Sequence, residues 1–130
     1  MNYLLDTCTF LWYIQGSKEL PSVVKEVIKS PENDIYLSVA SFWEILVKEK
    51  INKFKFPTKA ARYIPLQRSK HFIESLTLEE EAITYLSKLP DIHKDPFDRI
   101  LVCQSLHHNM PLLTPDSMLQ GYPIKTVWDA

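Results

Sequence analysis

Glycine is nearly missing from this chain: only Gly16 and Gly121 occur in 130 residues. A loop that cradles phosphate needs glycines at fixed spacings so that the backbone can approach the anion. Neither GxGxxG nor GxxxxGK[ST] can be written here, which excludes P-loop and Rossmann nucleotide chemistry. Cysteine is as scarce. Cys8 and Cys103 sit in apolar stretches without Cys-x-x-Cys or Cys/His ligand spacing, so both are expected as reduced core residues of a cytosolic protein, with no zinc site and no disulfide. The apolar runs fall far short of the ~20 residues that span a membrane. Met1–Asp6 has no basic n-region and ends in an acid, which predicts no signal peptide.

What is present suits a single globular domain over residues 1–130: 45% apolar and 24% charged residues, enough for a real core. The net charge of −1 argues against wholesale electrostatic binding to nucleic acid. Its distribution is uneven. Lys48–Lys70 carries eight basic residues and one acid, Glu49, and the rest of the chain is acidic on balance. One basic face and an acidic remainder fit a molecule that meets a polyanion on one side and holds cations on another. Lys48, Lys50, Lys53 and Lys55, interleaved with Phe54 and Phe56, are the candidate RNA contacts, through phosphates and base stacking. The competing reading is a solvated face whose aromatics serve the core or a dimer seam.

Taken in order, strands alternate with helices. Tyr3-Leu4-Leu5 reads as a buried strand ending in Asp6, followed by a helix over Phe10–Gln15 that Thr7 or Thr9 caps and Gly16 stops. Pro21–Lys29 is an amphipathic helix and Ile35–Val39 a strand. Ser41 then caps a helix over Phe42–Lys48, with Ser41 and Glu44 at capping-box spacing. Lys53–Pro57 alternates like an extended arm, and Ala60–Leu66 reads as a helix, a lid or a partner-binding element. Phe72–Leu78 holds a third strand and Leu78–Leu89 an amphipathic helix whose acidic first turn (Glu79, Glu80, Glu81) serves the macrodipole. A loop over Pro90–Lys94 leads to the most apolar helix of the chain. There Asp95 is the N-cap, Pro96 takes the first position, and Asp98 shares a stripe with Leu101, Val102 and Ser105. His93 is an incidental loop residue on this reading, and His107 and His108 lack ligand partners at useful spacing. Met110–Asp116 is an apolar strand ending in an acid, and Ile124–Trp128 a last edge strand. The pattern predicts an α/β/α sandwich around a mostly parallel sheet of four to five strands.

Four acids obey one placement rule. Asp6 and Asp116 follow apolar strands, and Glu44 and Asp98 open buried helices. In a parallel sheet, strand ends and the following helix starts share one edge, so these carboxylates can converge from distant positions. Converging carboxylates repel, and a hard divalent cation, Mg²⁺ or Mn²⁺, is the usual remedy. Such a cation can activate water and steady charge on a phosphodiester.

Leu4-Leu5-Asp6-Thr7, Ser41-Phe42-Trp43-Glu44-Ile45, His93–Leu101 and Leu113-Thr114-Pro115-Asp116, in that order and at those separations, resemble a PIN domain, specifically a VapC-type ribonuclease toxin of a toxin–antitoxin pair. The resemblance implies a Mg²⁺- or Mn²⁺-dependent endoribonuclease, a homodimer and a cognate antitoxin. It implies Asp6, Glu44, Asp98 and Asp116 as the acidic quartet, and Thr114 as a hydroxyl that positions the last acid or a water. Thr7, Asp95 and Arg99 are supporting candidates. Asp98 is assigned to the metal and Asp95 to the cap, an assignment that can be exchanged. Arg99 either meets substrate phosphate or pairs with Asp95 one turn earlier. Two rival classes fit less well. A haloacid-dehalogenase site needs Asp-x-Asp, where Cys8 stands here, and a receiver domain needs paired acids after its first strand. A non-catalytic RNA- or protein-binding module on the same fold is the remaining alternative.

Overall fold

A computed structural model describes residues 1–128. Its centre is a five-stranded, all-parallel sheet in the order β3-β2-β1-β4-β5, with β1 at Asn2–Leu5, β2 at Asp34–Ser38, β3 at Glu74–Leu76, β4 at Leu112–Leu113 and β5 at Thr126–Val127. Successive side chains of a strand point to opposite faces, so a parallel strand covered on both sides is apolar throughout. Leu4 and Leu112 enter one core with Leu101, Val102, Cys103 and Leu119, whereas Leu5 and Leu113 enter the other with Phe10, Val24, Leu37, Ile45 and Ile64. Six helices flank the sheet: α1 (Thr7–Gln15), α2 (Ser22–Lys29), α3 (Val39–Lys50), α4 (Ala60–Lys70), α5 (Glu80–Ile83) and α6 (Pro96–His108). This is the expected α/β/α sandwich. No helix among the described residues is long and apolar enough to cross a membrane.

The differences from the sequence reading are local and have physical causes. Asp6, not a threonine, caps α1, because the chain turns into helix directly after β1 and the Asp6 carboxylate accepts from Thr9 N–H at 2.8 Å. Gly16 ends that helix in the left-handed conformation, at φ 64°. α3 begins three residues early, capped by Ser38, so Ser41 lies inside the helix and the Ser41/Glu44 capping box does not form. Glu44 is thereby released from any capping duty. The stretch expected as one helix over Leu78–Leu89 is a single α-turn (α5) running into a 3₁₀ helix at Thr84–Lys88.

α4 is not a free lid. Ala60 and Ile64 are fully buried in the core, and Phe54, Phe56 and Tyr63 form an aromatic row against it, with centroids 6.2 and 5.4 Å apart. Lys53–Pro57 runs without strand pairing, so those phenylalanines belong to the margin of the core.

Candidate metal centre

The carboxyl edge of the sheet brings the predicted acids together. Asp6, Thr7, Cys8, Glu44, Lys48, Phe54, Asp95, Asp98, Pro115 and Asp116 line one cavity of about 310 Å³. Asp6 leaves β1, Asp116 follows β4, Glu44 looks in from the second turn of α3, and Asp98 from the first turn of α6.

Hydroxyls brace the buried pair of acids. Asp6 is 6% exposed and Glu44 4%. Thr114 Oγ1 donates to Asp6 Oδ2 at 2.6 Å and accepts from Asp116 N–H at 3.1 Å, tying the ends of β1 and β4 together. Thr7 Oγ1 donates to Glu44 Oε1 at 2.6 Å, and Lys48 Nζ to Glu44 Oε2 at 2.6 Å. The Lys48 ammonium also lies 5.6 Å from the centre of the Phe54 ring. Burial works against the Lys48 charge, but Glu44 more than offsets it and holds the ammonium above its ordinary range.

The other pair is more open, with Asp98 and Asp116 side chains 19% and 31% exposed. Between them stands His93, its Nε2 2.9 Å from Asp116 Oδ2 and 3.2 Å from Asp98 Oδ2. Sequence reasoning alone leaves this histidine incidental. Its signal is weak: a loop residue two before a helix cap shows no periodicity.

The remaining candidates divide. Asp95 lines the cavity while its Oδ1 caps α6 through Phe97 N–H at 2.9 Å. Arg99 turns away from the cavity. Its Nη1 reaches Asp91 at 3.6 Å, where pairing with Asp95 was an expected option, and donates to the Pro90 and His93 carbonyls and to Tyr122. Lys53 and Lys55 flank a neighbouring hollow with Trp12, Phe54 and Phe56. Lys50 is exposed at the end of α3 and lines neither hollow. Cys8 is not a core residue but lies half-buried at this cavity, and Cys103 is buried; both are free. Away from the site, Glu79 does meet His107 (3.6 Å) and His108, which spacing alone had left without partners.

The electrostatics ask for a cation. Burial pushes Asp6 up from its ordinary value, its hydrogen bonds to Thr114 and Thr9 work the other way, and Glu44 adds repulsion. Asp98 is pushed up to about 7, first by burial, then by Asp95, against some relief from His93. The Cys8 thiol is driven up to about 12 by burial and by the charges of Asp6, Asp98, Asp116 and Glu44, so it registers the summed negative field. The donors are hard oxygens, the set that Mg²⁺, Mn²⁺ or Ca²⁺ prefers. Asp98 and Asp116 place carboxylate oxygens within 4.8 Å of one another, with His93 Nε2 within the same distance of both. The residues therefore fit a divalent cation.

A parallel α/β sandwich that gathers four carboxylates at its carboxyl edge defines an acid-cluster site. The chain belongs to the PIN domain family, whose sequence model matches residues 3–125. Its fold matches a chain of VapBC2 from Rickettsia felis, solved on a promoter DNA fragment, at a TM-score of 0.76 and 17% identity, covering 99% of this chain and 100% of that one. It also matches VapBC-1 from nontypeable Haemophilus influenzae (0.67, 20% identity, 93% and 91% covered) and the toxin–antitoxin system VapBC-5 from Mycobacterium tuberculosis (0.58, 15%, 92% and 89%). Among curated proteins no sequence matches significantly.

Proposed function

We propose that this chain acts as one unit, a Mg²⁺- or Mn²⁺-dependent endoribonuclease, and serves as the toxin of a toxin–antitoxin pair. The observation that carries this reading is the convergence of Asp6, Glu44, Asp98 and Asp116 on one cavity where Lys48 is already committed to Glu44. The family membership and the likeness to VapBC structures support it. Asp6, Asp98 and Asp116, with Glu44, would hold the cation. When bound, it supplies water activation and stabilises charge on the phosphodiester. Glu44, fixed on both oxygens by Thr7 and Lys48, would serve either as a further ligand or as the base that orients the attacking water and takes its proton. Lys53 and Lys55 beside the hollow, and Lys50 further along the same basic face, bind flanking phosphates, and Phe54 offers a ring for a base. A cytoplasmic location, a homodimer and a protein antitoxin complete the proposal.

The test uses purified protein freed of any partner, total cellular RNA, and Mg²⁺, Mn²⁺ or chelator, beside Asp98→Asn. Discrete fragments that need both metal and Asp98 are expected. Intact RNA under every metal, together with no metal-induced rise in melting temperature, would instead leave a non-catalytic binding module.

A further inference from the structure

We propose that His93 is a built-in stand-in for the cation: its Nε2–H, donated to Asp116 and set against Asp98, fills the gap between the two acids in the ion-free protein and is displaced, rather than used as a ligand, when a divalent cation enters. The inference rests on the metal-site reading above and adds a residue outside the acid quartet.

The tautomer carries the argument. A backbone N–H can only donate, and Asp95 N–H donates to His93 Nδ1 at 3.1 Å. Nδ1 therefore presents its lone pair, and the hydrogen of the neutral ring sits on Nε2. That hydrogen is donated to Asp116 Oδ2, and Asp98 Oδ2 lies 3.2 Å from the same nitrogen. A nitrogen that carries a hydrogen cannot coordinate a metal. Ligation through Nε2 would need the hydrogen moved to Nδ1, where it would face the Asp95 N–H and turn a bond into a clash of donors.

The ring is also held at its backbone. His93 N–H donates to Tyr122 Oη at 2.8 Å, Arg99 Nη1 donates to the Pro90 and His93 carbonyls at 3.2 and 3.4 Å, and Tyr122 is itself buried. Loop, tautomer and direction are thus fixed together. A cation between Asp98 and Asp116 needs the Oδ2 lone pair of Asp116 and cannot face an N–H, so its entry must break the His93–Asp116 hydrogen bond and move the ring from beside Asp98. His93 serves the open half of the site as Lys48 serves Glu44, but through a partner that can leave.

The experiment is Mn²⁺ calorimetry on the chelator-treated full chain: wild type, His93→Ala and Asp98→Asn. His93→Ala is expected to bind Mn²⁺ about tenfold more tightly, because no hydrogen bonds need breaking. Equal or weaker binding by His93→Ala overturns the stand-in, and weaker binding makes His93 a ligand. Asp98→Asn is expected to bind at least tenfold more weakly; wild-type binding there would sink the metal-site reading itself. A second readout needs no variant. Imidazole ¹⁵N spectra of the wild type should show hydrogen on Nε2 without metal, and with Mg²⁺ an Nε2–H shifted away from its hydrogen-bonded position while Nδ1 stays bare. Protonation of Nδ1 on adding Mg²⁺ would overturn the proposal.

Discussion

The side chains of Asp6 and Glu44 are bonded by threonines and a lysine of the packed framework, whereas those of Asp98 and Asp116 meet a histidine on a loop. The first pair is almost completely buried, and each acid has fixed partners: Thr114 and the start of α1 for Asp6, Thr7 and Lys48 for Glu44. The second pair is partly exposed: Asp116 is hydrogen-bonded to His93, whose Nε2 lies 3.2 Å from Asp98 and whose loop Tyr122 and Arg99 pin. One half of the cavity is therefore finished before any ligand arrives, and the other half is adjustable. On the proposed metal-site reading, a cation's binding energy would go into charge neutralisation in the first half and into rearrangement in the second.

The largest expected effect comes from Asp98, in the open half. Asp98 stands at about 7 in the folded protein against 3.8 as the ordinary value. A carboxyl raised on folding adds stability that is fully present below pH 3.8 and is lost as pH rises through 7. The ion-free protein should lose up to about 4 kcal/mol across that window, at ~1.4 kcal/mol for each pH unit crossed. Melting curves in chelator should show the fall, and Asp98→Asn should remove most of it. If the slope survives that substitution, Asp6 is the dominant acid and the division between halves fails. Next in size is Lys48→Met, which leaves a buried carboxylate facing Thr7 alone. A loss of about 2 kcal/mol is expected in chemical denaturation, short of a fully buried pair because a third of the Lys48 side chain is exposed. Tyr122→Phe should cost about 1 kcal/mol. Hydrogen exchange should rise at residues 91–95 and not at 5–9; equal rises would show the loop and the framework to be one unit. The smallest effect is a rate. Cys8 alkylation at pH 8.5 should be slow and should quicken more in Asp6→Asn than in Asp98→Asn, since Asp6 is the stronger of the two influences on the thiol.

The same division governs what could be read from the chain. Leu4-Leu5-Asp6 and Leu112-Leu113 announce strands through unbroken apolar character, and parallel topology then places the following acids at one edge without further information. Asp95, Pro96 and Asp98 announce α6 by the chemistry of helix starts. Glu44 was legible as an acid in a buried helix, but its capping-box reading was misleading: Ser38 offers an equally good cap three residues earlier, and only packing decides between them. His93, Tyr122 and Arg99 were not legible as a group. Their link packs one loop and the start of α6 against a loop 23 to 29 residues away, and nothing periodic marks it.

Asp6 and Asp116 each use one oxygen to start a helical segment, accepting from Thr9 N–H and Met118 N–H, while the other meets Thr114 or His93 in the cavity. Folding and the acid cluster thus draw on the same two side chains. Drift to alanine at either position would remove a carboxylate from the cavity and fray a helix start in one step, adding about 1 kcal/mol of instability. Descendants that lost either acid would then be cleared faster than those that kept it, so turnover itself guards the carboxylates.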